Sequence, residues 1–197
     1  MVHITLKDLD KDNYYKDSEI NTTEEITCDD NLGYIKFKKS VITTKSIILG
    51  LSSGIKAGYG IEAGSGIKAG YGIEAGYGIE AGDGIEAGDG IKAGWGIEAG
   101  DGIEAGDGIE AGLSIICKRI LKFSYQLFSG TCTWRETKEE DLIISCGKLE
   151  TDGKIILGNL IETGIPEEVE KIKIINGLKY RLVEDDNNVL DEVKDHE

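Results

Sequence analysis

One hexapeptide, Gly-Ile-(Glu/Lys)-Ala-Gly-X, recurs ten times without interruption from Gly54 to Leu113. A strict short period over this length means stacked identical units. Six is not a helical period, and two glycines per unit would each cost an α-helix about 1 kcal/mol against alanine. A strand accounts for the unit better. In Ile-Glu-Ala the first and third side chains point one way and the second the other. Ile and Ala therefore face a core, and Glu or Lys faces water. The Gly-X-Gly that follows reads as a corner, where glycine supplies positive φ or close backbone approach. Short strand and corner in alternation predict a parallel β-solenoid with hydrogen bonds along its axis.

The variable positions offer an independent test of the number of hexads per coil. With three, residues eighteen apart stack, and the X positions sort into columns. One column is Tyr59, Tyr77, Trp95 and Leu113; another is Ser65, Asp83 and Asp101; the third is Tyr71, Asp89 and Asp107. The charged strand positions sort as well. Lys56, Glu74, Lys92 and Glu110 alternate in sign on a first face. A second carries Glu62, Glu80 and Glu98, and a third Lys68, Glu86 and Glu104. Opposite charges on neighbouring strands help and like charges hurt, so the sorting favours a triangular prism over two hexads per coil.

Hexads with an aliphatic residue at every sixth position resemble the left-handed parallel β-helix, a prism with three hexads per coil. The resemblance covers about a third of the chain. That family usually places its small inward residue two before the aliphatic one, whereas here Ala stands two after, which leaves the handedness open. The resemblance implies one enzymatic precedent, the hexapeptide-repeat acyltransferases, whose general base is a histidine near the coils. The two histidines here, His3 and His196, stand at the chain ends, so the proton acceptor is missing.

The expected organisation is an N-terminal cap segment over 1–33, the solenoid over 34–146 with its regular repeats at 54–113, C-terminal strands and a hairpin over 147–183, and an acidic fraying tail over 184–197. Tyr34 to Lys38, Ser46 to Leu49, Ile115 to Cys117, Ile120 to Phe123 and Tyr125 to Phe128 read as strands of irregular coils. A helical turn is expected at 166–170 after Pro166. Asn176-Gly177 between two apolar runs is a strong hairpin signal.

The four cysteines, Cys28, Cys117, Cys132 and Cys146, have no CxxC spacing and no export signal ahead of them. They read as reduced, apolar-buried thiols of a cytoplasmic protein, with Cys117, Cys132 and Cys146 stacked near one coil length apart. No metal site is expected, because the calcium β-roll nonapeptide is absent and zinc-type spacing is lacking. No cofactor is expected either. No apolar run approaches a membrane span.

Charge narrows the function. The chain carries 22 Lys and Arg against 37 Asp and Glu, a net charge of −15. That disfavours direct binding to nucleic acid or to anionic lipid. The repeats hold three Lys against eleven acidic residues, a net of −8. Ten hexads stack to roughly 16 Å of axis at ~4.8 Å per coil, giving about one negative charge per 2 Å. Double-stranded DNA carries one per about 1.7 Å. A rigid acidic rod resembles, in physical strategy, the pentapeptide-repeat DNA mimics. The expected function is therefore a non-enzymatic protein-binding module. Its partner would be a protein with a basic surface that normally holds nucleic acid, with the chain acting as inhibitor or competitor, as an anti-defence factor of a phage or mobile element would. The expected electrostatic contacts are Asp83, Asp89, Asp101 and Asp107 with Glu80, Glu86, Glu98 and Glu104. The alternative is a structural solenoid that forms a homodimer through the aromatic column of Tyr59, Tyr77, Trp95 and Leu113. The blandest reading is that the acid only keeps a stiff rod soluble.

Overall fold

A computed structural model describes residues 1–165, together with the strands Ile172–Ile175, Leu178–Leu182 and Leu190–Glu192. Met1–Ile165 and Pro166–Glu197 form separate compact units. The first unit is a parallel β-solenoid whose three sheets hold eight, seven and eight strands. In the repeats, consecutive strands of one sheet are eighteen residues apart. Ile73 pairs with Ile55 on one side and Ile91 on the other, Ile79 with Ile61 and Ile97, and Ile85 with Ile67 and Ile103. Three hexads per coil is thus the observed register.

Each three-residue strand places Ile and Ala inside and the charged residue outside. Every repeat Ile from Ile55 to Ile109 and every repeat Ala from Ala57 to Ala111 is buried, in one continuous core. The repeat prism is lined uniformly by alternating Ile and Ala. Above the repeats Cys117 and Phe123 replace Ala at the stacked positions, paired with Ala99 and Ala105 respectively. The corners are hydrogen-bonded too. Gly76 N–H donates to Ala57 at 2.9 Å, Tyr77 N–H to Tyr59 at 3.2 Å, and Ile79 N–H to Gly96 at 3.1 Å. Corner as well as strand donors therefore find partners in neighbouring coils.

The first glycine of each repeat Gly-X-Gly serves close approach. None of the repeat glycines has a positive φ; that conformation is confined to Gly33, Gly130, Gly158 and Gly164 among the described glycines. A β-carbon on Gly76 would lie 2.1 Å from the carbonyl oxygen of Gly58, and one on Gly100 1.8 Å from that of Gly82. The first glycine of each Gly-X-Gly is excluded from carrying a side chain by the coil before it.

The solenoid runs beyond 34–146 at both ends. Val2–Ile4 pairs with Ile26–Cys28, and Ile20–Thr22 with Val41–Thr43, so residues expected in a cap form coil walls. The cap itself is shorter. Thr5 and Asp8 cap a 3-10 turn at Leu6–Asp8 reciprocally, and Lys16 Nζ lies 2.6 Å from Asp8 Oδ1. The Lys16 ammonium and the Thr5 donors hold the Asp8 carboxyl down at about 2. Leu9 and Tyr15 pack against the core, with the Tyr15 ring 5.2 Å from Phe37. At the other end, Lys148–Thr151, Lys154–Leu157 and Asn159–Glu162 complete a further coil.

Cys117 and Cys146 are inward-facing on neighbouring rungs, since Ile115 pairs with Ile144 and Ile116 with Ser145. Burial, with Cys146 alongside, pushes the Cys117 thiol up to about 12. Cys132 does not join that stack. It lies in an excursion between Gln126–Ser129 and Ile143–Cys146, near Arg135 and Thr137. The thirteen residues between Ser129 and Ile143 leave the coil there. All four thiols are free. The same excursion is tied by a bidentate pair, Arg135 to Asp141 at 2.7 and 2.8 Å, and the guanidinium lowers the Asp141 carboxyl.

In the second unit, Ile172–Ile175 pairs antiparallel with Leu178–Leu182, flanking the Asn-Gly pair. Leu190–Glu192 adds a third antiparallel strand from the stretch expected to fray, where Val189 and Leu190 interrupt the acidic run. The expected turn at 166–170, and Asn176-Gly177 itself, lie outside the described residues.

Candidate functional site

The three faces differ in how far their charges are cancelled. On the first, Lys56 and Glu74 meet at 2.8 Å, as do Lys92 and Glu110. Lys56 also stands 4.2 Å from the centre of the Tyr34 ring. On the third, Lys68 Nζ is 2.8 Å from Glu86, and Lys122, from the coil beyond the repeats, pairs with Glu104. These are exposed pairs between rungs, screened by solvent and worth little to stability, but they remove the local excess of negative charge.

The second face is different. Glu62, Glu80 and Glu98 stack in register with no lysine or arginine nitrogen within 4.0 Å among the described residues. Partial burial, followed by repulsion from Glu62 and Glu98, raises the Glu80 carboxyl above the usual value. The ladder ends in apolar rungs, because Ile42 pairs with Glu62 and Ile116 with Glu98. Rungs ~4.8 Å apart carrying like charges repel by about 1 kcal/mol even at the dielectric of water. This face stores electrostatic strain that a bound cationic group would relieve.

The two corners beside this face complete the site. On one, Tyr59 and Tyr77 stack with ring centres 5.1 Å apart and planes within 5°. Tyr77 and Trp95 continue at 4.6 Å and 13°. These three rings remain 43–46% exposed. Leu113 continues the column, half-buried. Trp134, from the excursion after Ser129, reaches the same corner: its Cη2 would lie 3.0 Å from a β-carbon on Gly112. On the opposite corner stand Ser65, Asp83 and Asp101, with Asp101 Oδ1 3.3 Å from Arg119 Nε.

The expected acidic contacts are therefore not one array. Glu80, Glu98 and Asp83 lie together on and beside the second face, joined by Glu62, which the acidic list from sequence left out. Glu86 and Glu104 are held by lysines on the third face. Asp101 is held by Arg119. Asp89 and Asp107 lie on the third corner, between Tyr71 and Tyr125 in the same column. The pairing of Glu104 and Asp101 was missed because their partners, Lys122 and Arg119, stand eighteen residues on, beyond the last regular hexad. The aromatic column, by contrast, assembles as its spacing required.

Among the described residues no group of three or more His, Cys, Asp or Glu side chains is disposed to hold a metal ion. No helix among them is long and apolar enough to cross a membrane. Comparison with protein families, curated proteins and solved structures finds no match to this chain.

Proposed function

We propose that this chain is a non-enzymatic, acidic protein-binding module whose second face occupies a basic surface on a partner protein, in place of the nucleic acid that surface ordinarily holds. One observation carries the reading. On a solenoid that pairs its charges rung by rung on two faces, Glu62, Glu80 and Glu98 are left without a paired cation among the described residues. Three stacked carboxylates at fixed rung spacing present an anionic line on a rigid support, as one strand of a phosphate backbone does. Rigidity matters because less ordering entropy is lost when the partner docks.

The test is capture with competition. The immobilised protein should retain nucleic-acid-binding proteins from a cell lysate at low salt. Double-stranded DNA or RNA should release them. Retention that DNA and RNA leave undisturbed would contradict the mimicry.

A second reading is favoured by the aromatic ladder. Three exposed stacked rings on a rigid corner form a surface on which two copies could associate. Such association would persist at high salt, whereas binding through the carboxylates would weaken.

A further inference from the structure

A recess of about 120 Å³ lies where the aromatic corner meets the carboxylate ladder. Trp95 and Leu113 form one wall, Glu80, Glu98 and Ile116 the other, and the backbone of Gly96 lies at its base. Two features of the repeat place it there. The X position of one hexad and the charged position of the next face the same notch, and the glycine between them leaves the notch unfilled. It occurs at this level because Trp95 is the broadest ring of its column and Ile116 ends the ladder above Glu98.

Resting on the acidic-module reading, we propose that this recess is a binding site for a single arginine side chain of the partner. The guanidinium would lie against the Trp95 indole, its N–H groups would reach the Glu80 and Glu98 carboxylates, and its methylenes would pass Leu113 and Ile116.

The chemistry selects arginine over lysine. A guanidinium is planar and weakly hydrated, presents several donors in one plane, and stacks on aromatic rings. Two carboxylates one rung apart supply acceptors for different edges of that plane, and charge-assisted bonds of this kind are the stronger class. A lysine ammonium is a compact, strongly hydrated point charge, and gains little from the flat wall. Burial first, and then repulsion from Glu62 and Glu98, raises the Glu80 carboxyl, and a bound cation would relieve the repulsion. The partner is thus a basic protein surface anchored by arginine, and the Tyr59–Tyr77 part of the ladder extends the apolar strip beside it.

The test uses fluorescein-labelled octa-arginine and octa-lysine, titrated separately into the full chain at one ionic strength. Octa-arginine should bind about fivefold tighter. Trp95→Ala should bring the two affinities together while leaving octa-lysine nearly unchanged, and Trp95→Phe should keep most of the preference. Circular dichroism and size by light scattering confirm that each variant is folded. Glu80→Gln with Glu98→Gln, which leaves the indole in place, should weaken both peptides and reduce the preference. Equal affinity of the wild-type chain for the two peptides, or a preference that survives Trp95→Ala, would overturn the arginine site and leave the acidic-module reading standing. Failure of both peptides to bind at low salt would overturn both.

Discussion

Gly82→Ala and Gly60→Ala should shift stability in opposite directions, though both change a corner glycine of the same repeat. A β-carbon on Gly82 would stand 2.0 Å from the carbonyl oxygen of Gly64. One on Gly60 would stand 3.5 Å from that of Gly78, an ordinary contact. Neither residue has a positive φ, so the backbone conformation itself suits alanine at both. Relief at Gly82 requires two rungs to separate by more than an ångström. That strains the bonds from Gly82 N–H to Ala63, 3.0 Å, and from Asp83 N–H to Ser65, 3.3 Å. Two weakened hydrogen bonds at about 1 kcal/mol each, with residual overlap, put the loss at about 3 kcal/mol. At Gly60 the lost freedom of the unfolded chain favours alanine by about 0.5 kcal/mol. Urea unfolding followed by circular dichroism reads both variants. The Gly82→Ala midpoint should fall and the Gly60→Ala midpoint should hold or rise. Equal losses at the two sites would show that these glycines are required for their conformation and not for coil spacing.

Ile79→Asp would bury an unpaired carboxylate in the core and should cost several kcal/mol, read by the same unfolding experiment. Glu80→Gln should raise the melting temperature at pH 7. A carboxyl whose folded value is raised weakens the fold above that value, and the penalty fades as pH falls through it, so the difference between variant and wild type should close in mild acid. Asp8 and Asp141 act with the opposite sign: their lowered carboxyls contribute stability at neutral pH that is lost as pH falls through the ordinary carboxylate range towards about 2 for Asp8. Alkylation of the unfolded chain without reductant should modify all four cysteines once, as free thiols require.

The period of six and the alternation within Ile-Glu-Ala were enough to place every repeat side chain inside or outside, because only two kinds of environment exist in such a prism. The eighteen-residue columns foretold the aromatic ladder and the pairs Lys56–Glu74 and Lys92–Glu110 for the same reason. What escaped lies where the period breaks. Ile20 and Ile26, like Val41 and Ile47, are six apart and line the core, but the loop at 29–33 shifts the count between them, so the first coils read as a cap. Asn31 and Gly33 take positive φ in that loop. The 130–142 excursion, its Arg135–Asp141 clamp and the position of Trp134 depend on contacts between residues with no shared period. Local pattern also could not separate the two duties of glycine, since close approach to a neighbouring coil becomes visible only when coils are stacked.

Which carboxylates engage a basic partner is the central claim, and two variants of identical net charge test it. Glu62→Gln, Glu80→Gln and Glu98→Gln together remove three charges from the unpaired ladder. Glu86→Gln, Glu104→Gln and Glu110→Gln remove three from carboxylates paired with Lys68, Lys122 and Lys92. The measurement is the affinity for octa-arginine as a function of salt. The ladder variant should bind at least tenfold more weakly at low salt, with a flattened salt slope, while the paired-face variant stays close to the wild type. Equal weakening of the two would contradict the account, because it would mean that net charge alone, and not the uncancelled second face, governs binding.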